Sequence, residues 1–123
     1  MGASQIAILE QILRDLYVTF EADPNVDWCL TFEVPGRDVW LEFTRRLLNM
    51  AWPFDSDAAY DLARGALQSL PECVLAEVEA GSFATYWFEL PSVEQMAAII
   101  DRLFVEVYQL EADYQFTFEV KQL

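Results

Sequence analysis

Asp38-Val39-Trp40-Leu41-Glu42-Phe43-Thr44-Arg45-Arg46-Leu47-Leu48-Asn49-Met50-Ala51-Trp52 can be laid out in two ways, and the fold turns on which one holds. Read as a helix, Val39, Phe43, Leu47 and Met50 line one face. Asp38 caps the start, Glu42 pairs with Arg46 four residues on, and Pro53 follows the end. Read as a strand, Val39, Leu41 and Phe43 alternate with polar neighbours until Arg45-Arg46 breaks the pattern. The capping and pairing signals favour the helix.

Outward from this stretch the elements are easier to place. Upstream, Ile6, Leu9, Leu13, Leu16 and Phe20 recur at helical spacing over residues 4–21, widened by Ile8, Ile12 and Tyr17, and Asp23-Pro24-Asn25 ends the run. Residues 27–34 alternate as a strand, with Trp28, Leu30, Phe32 and Val34 on one side, and Pro35-Gly36 turns the chain. Downstream, residues 56–70 form a helix opened by Asp55 or Ser56 and stopped by Pro71. Residues 73–80 and 83–90 read as a hairpin joined at Gly81-Ser82. Its first strand turns Val74, Ala76 and Val78 one way and Leu75, Glu77 and Glu79 the other. Ser92-Val93-Glu94-Gln95 is a capping box, and Val93, Met96, Ile100, Leu103, Phe104, Val107 and Leu110 carry its helix into a core. Residues 113–121 close the chain as a strand with Tyr114, Phe116, Phe118 and Val120 inward. Thr-Phe-Glu-Val occurs at 31–34 and again at 117–120; the flanks differ, which favours shared strand chemistry over duplication.

With 38–52 helical, the order after the first helix is β, αα, β, β, α, β. That predicts one α+β domain over residues 1–123: a ferredoxin-like βαββαβ unit with an extra N-terminal helix, its helices on one face of an antiparallel sheet. With 38–52 as strands the order becomes α-βββ-α-ββ-α-β. In element order, size and acidity that layout resembles the type III secretion chaperones.

Composition narrows the function classes. The chain has 54% hydrophobic residues, enough for a packed core, and no apolar run near the roughly 20 residues of a membrane helix. Two cysteines make no disulfide framework, and the N-terminus lacks a basic start and a cleavage site, so a cytoplasmic setting is expected. A net charge of −14 repels nucleic acid and attracts basic proteins, though acidity also serves solubility alone. No histidine is present, which removes the commonest general base and metal ligand. Cys29 and Cys73 match no zinc spacing, and glycine-rich phosphate loops are absent. Asp55-Ser56-Asp57 with Asp61 lacks the glycine and closing glutamate of a calcium loop and reads better as helix capping. No catalytic residue, cofactor or metal is therefore expected.

Strand alternation singles out one surface. The face turned from the core carries Glu33, Glu77, Glu79, Trp87, Glu89 and Glu119, with Thr31, Thr85 and Thr117 between them and Lys121 in opposition. Arg14, Arg45, Arg46, Arg64 and Arg102 fall on the helices and Arg37 in a turn. Trp87 is the expected anchor, Trp40 an extension of the same surface if its helix turns it outward, and Trp28 and Trp52 core. These residues suit a basic protein partner, met by an inhibitor or immunity-type protein; a dimeric chaperone or adaptor and a small-molecule enzyme or sensor rank behind. The wide apolar stripe of the first helix leaves three uses for it: covering the acidic face, joining the other helices, or pairing with a second copy of the chain.

Overall fold

The computed structural model describes residues 2–55 and 57–123, with side chains from Gln5 onward. Ser56, one of the two candidate caps, lies outside the described residues. The elements are α1 (Gly2–Ala22), β1 (Trp28–Glu33), β2 (Trp40–Phe43), β3 (Leu47–Trp52), α2 (Asp57–Leu67), β4 (Val74–Glu79), β5 (Ser82–Trp87), α3 (Val93–Arg102) and β6 (Thr117–Gln122). A π turn over Leu103–Val107 extends α3. The chain is α+β, with a six-stranded antiparallel sheet in the order β4-β5-β3-β2-β1-β6.

Residues 38–52 are a hairpin, not a helix. The Arg45-Arg46 pair that interrupts the strand pattern is the turn itself: the Thr44 amide donates to the Leu47 carbonyl at 2.9 Å. Arg45 donates to the Phe20 carbonyl at 2.9 Å and its guanidinium lies 5.3 Å from the Phe20 ring centre, which ties the turn to the end of α1. The stretch is apolar at both periods, so burial decides. As strands it places Leu41, Phe43, Leu48, Met50 and Trp52 together in the core, between β1 and β5. As a helix it would bury only one stripe of them.

The ferredoxin-like βαββαβ order therefore gives way to α-βββ-α-ββ-α-β, with six strands where that order has four. The turn before β2 uses Gly36 at φ 77°, and the β4–β5 turn uses Gly81 at φ 82°, both in the left-handed region that glycine enters without strain. The Ser92 hydroxyl accepts the Gln95 amide at 3.1 Å, as the capping box requires; the Gln95 side chain instead reaches the Ser69 carbonyl. The two Thr-Phe-Glu-Val segments are neighbours in the sheet, paired head to tail about Phe32↔Phe118.

All three helices cover one side of the sheet. Phe32 meets Phe104 of the π turn edge-on at 6.2 Å, Tyr108 donates to the Ala51 carbonyl at 2.6 Å, and α1 packs along α3. Two long-range bonds pin α1: Gln5 to the Tyr114 carbonyl at 2.8 Å and Tyr17 to the Pro91 carbonyl at 2.9 Å. Its buried stripe of Leu9, Leu13, Leu16 and Phe20 is spent inside this layer, so α1 does not lie over the other face. Tyr114 is buried as expected, but β6 overhangs the helices: Phe118 and Val120 point to the helix side and remain 52% and 41% exposed.

Candidate partner-binding face

Register sorts the uncovered side of the sheet into cross-strand rows. The middle row runs Glu119, Thr31, Glu42, Asn49, Thr85, Glu77, one residue from every strand, and spans about 24 Å at the usual strand spacing. Hydrogen bonds knit its centre: Thr85 donates to Asn49 Oδ1 at 2.9 Å, and Asn49 Nδ2 donates to Glu42 at 3.4 Å. On one side of this row Glu33 stands between Thr117 and Trp40, and Phe83 stands between Ala51 and Glu79. Ala51 is buried although it belongs to this face, because the large side chains of Trp40 and Phe83 flank it. On the other side lie Lys121 beside Cys29, and Trp87 between Leu47 and Val74.

Six of the seven residues singled out from the sequence share this surface: Glu33, Glu77, Glu79, Trp87, Glu119 and Trp40. Glu89 does not. β5 ends at Trp87, and the Glu89 amide donates to the Pro71 carbonyl at 2.8 Å, which takes it past the sheet toward the Arg45-Arg46 turn. A bulge between Leu75 and Glu77 corrects the expected sorting of β4. It turns Leu75 to the helix side with Val78 and leaves Val74 with Glu77 and Glu79 on the open face. Glu42 and Asn49 are additions; the strand alternation of 39–43 carried the signal for Glu42, and the helical reading hid it.

The expected sorting of charge by layer is met only in part. Arg45 and Arg46 sit in the β2–β3 turn rather than on a helix, and the helices carry many carboxylates of their own. The helix arginines are all paired, although among the described residues Asp15, Glu21, Asp57 and Asp101 on the helices are in no salt bridge either. On the helix side Arg14 lies 3.9 Å from both Glu10 and Glu94, Arg64 lies 3.3 Å from Asp61, and Arg102 lies 2.6 Å from Glu106. On the open face Lys121 meets Glu119 at 3.5 Å, while among the described residues Glu33, Glu42, Glu77 and Glu79 are in no salt bridge.

Trp87 stands 51% exposed at the margin of this field, beside a cleft of about 440 Å³ that Trp28, Arg46 and Leu47 also line. Trp52 is wholly buried, as expected of a core tryptophan, whereas Trp28, also expected in the core, is only half-buried and lines this cleft. Burial pushes the Cys29 thiol up, against a lesser pull from Thr31, and burial likewise raises Cys73, so neither is activated as a thiolate. Among the described residues no three His, Cys, Asp or Glu side chains converge as metal ligands. Compared with protein-family models, with curated proteins and with solved structures, the chain matches none.

Proposed function

We propose that this chain is a non-catalytic binding protein whose open sheet face docks a basic protein, in the manner of an inhibitor or immunity protein. The observation that carries the reading is the set of Glu33, Glu42, Glu77 and Glu79, without cation partners among the described residues, gathered on an uncovered sheet with the half-buried Trp40 among them and the exposed Trp87 at their margin. Like charges crowded on one face work against a sheet, and a cationic partner would offset that cost while speeding encounter. Trp87 and Trp40 supply the apolar contact area that carboxylates cannot.

The test is a comparison of equal-charge variants in partner capture. One variant replaces Glu33, Glu42, Glu77 and Glu79 by glutamine. The other neutralises four exposed carboxylates elsewhere: Glu21, Asp23, Glu111 and Asp113. A partner held by the wild type and by the second variant, lost by the first, and released as salt rises supports the face. Equal loss with both variants would reduce the effect to net charge and overturn the proposal.

A second reading, a dimeric chaperone or adaptor, draws support from the element order, whose layout resembles that of type III secretion chaperones, and from apolar side chains left exposed at both sheet edges, Val74 and Leu75 on β4 and Phe118 and Val120 on β6. It predicts client binding that persists at high salt, the opposite of the first reading.

A further inference from the structure

β6 is an edge strand with every residue exposed, and its pairing with β1 fixes which backbone groups face outward. The Leu123 amide donates to the Asp27 carbonyl at 2.7 Å, one step past the Trp28↔Gln122 pair. In an antiparallel ladder the hydrogen-bonded positions alternate, so Thr117, Glu119 and Lys121 turn their amides to β1. Phe118, Val120 and Gln122 turn theirs to the free edge. An unpaired row of this kind is a template for another strand.

We infer that the strand it takes is β6 of a second copy, antiparallel, about a two-fold axis through Val120. Directly opposed residues must share a face, so the apolar pair Phe118 and Val120 can only meet the helix side of the partner strand. Three central registers satisfy this. An axis through Glu119 sets that carboxylate against its own copy. An axis through Phe118 sets Glu119 against Thr117 and leaves Lys121 without an opposite. The axis through Val120 sets Glu119 against Lys121 of the second copy, twice by symmetry, at non-hydrogen-bonded positions where side chains approach closest. It also uses all three outward residues: Val120 bonds its own copy, and Phe118 and Gln122 bond each other on both sides of the axis. The exposed Val120 side chains then meet on the helix side.

Lys121, the only lysine in the chain, already lies 3.5 Å from Glu119 of its own strand, and this register adds a second carboxylate across the interface. A lysine on an edge strand can equally keep edges apart, and the two roles predict opposite results. The inference does not rest on the acidic-face reading, because β6 pairing needs none of Glu33, Glu42, Glu77, Glu79 or Trp87; it uses the exposed Phe118 and Val120 that the chaperone reading also cites, but requires no client.

Sedimentation equilibrium of the full chain decides it. The wild type is expected to dimerise below about 100 μM, a modest affinity for one strand pair. Val120→Pro is expected to be monomeric yet folded, because the amide it removes points away from β1. Lys121→Glu and Glu119→Lys are each expected to weaken the dimer about tenfold, by making both opposed pairs repulsive, and the double exchange to restore it. Should Val120→Pro fail to fold, the charge-exchange set still answers. A wild type monomeric throughout, an unaffected folded Val120→Pro, or a double exchange no better than the single reversals would overturn the inference. The glutamine variant of the open face keeps its dimer in either case, so the two proposals fail separately.

Discussion

Replacing Glu33 by glutamine is expected to stabilise the isolated chain, and the register gives the size of the effect. Glu33 is opposite Trp40 and Thr117, so its diagonal neighbours two residues on are Glu42 and Glu119. Diagonal cross-strand neighbours are about 7–8 Å apart. Two unit charges at that distance repel by about 0.5 kcal/mol in a water-like dielectric, which is appropriate for side chains this exposed. Glu119 is paired with Lys121 at 3.5 Å, which offsets part of its repulsion, so the two pairs together stay below about 1 kcal/mol at low ionic strength. Near 0.15 M salt the screening length is about 8 Å, which leaves less than half of that. Urea unfolding followed by tryptophan fluorescence measures the difference: the midpoint of Glu33→Gln should rise by about 0.5 M in dilute buffer and the gain should shrink as salt is added. A loss of stability, or a gain indifferent to salt, would refute the view that these carboxylates act on one another across the face. The same substitution should weaken partner binding, so stability and function are expected to move in opposite directions at this position.

Trp52 packs edge-on to Phe54 at 5.1 Å and against Tyr60 at 4.8 Å, wholly out of solvent. Trp52→Ala should cost about 3–5 kcal/mol, a large share of the roughly 5–15 kcal/mol of a domain this size, and circular dichroism with a urea titration checks it. Stability should also fall as pH rises through the tyrosine range. Burial raises Tyr17, Tyr108 and Tyr114 in the folded chain, and pushes Tyr86 up to about 12 from 10.0 with smaller contributions from Cys73 and Tyr60. Above the unfolded value the unfolded chain holds fewer protons, so each such tyrosine removes up to about 1.4 kcal/mol per pH unit until its folded value is reached. Unfolding midpoints should drop above about pH 10, with tyrosinate absorbance rising as the chain unfolds, and be flat with respect to these groups at neutral pH.

Most elements were legible because one period dominated each. α1 and α3 carried single helical stripes, β1 alternated cleanly, and the capping box at Ser92 marked a true helix start. Residues 38–52 were not decidable locally, since an apolar set that satisfies both periods is resolved only by what it packs against. Here that is β1 on one side and β5 on the other, both distant in sequence. The acidic face could be read wherever strand assignment was right, which is why Glu33, Glu77, Glu79 and Glu119 were found and Glu42 was lost with its strand. Glu89 failed for a different reason. Alternation continues past Trp87 in the sequence, but the chain leaves the ladder there, and nothing in side-chain pattern reports where backbone pairing stops. The bulge at Leu75/Glu77 is likewise a backbone event, invisible to alternation until a partner strand sets the register.

The open face and the β6 edge meet at Glu119, and pairing of two copies as inferred above would make them cooperative rather than competing. Pairing two copies through Val120 continues the sheet across the axis, so the open side of one protomer joins the open side of the other in a single surface. Glu119 and Lys121 of each copy neutralise one another along the seam, while Glu33, Glu42, Glu77 and Glu79 stand on both flanks of it. A basic partner with two cationic patches, or two partners held on one scaffold, would then meet two equivalent acidic fields at a fixed separation, and the second contact would form at high effective concentration. Binding of such a partner should lose more than additively when Val120→Pro separates the copies, whereas a partner that needs only one field should bind the monomer as well as the dimer.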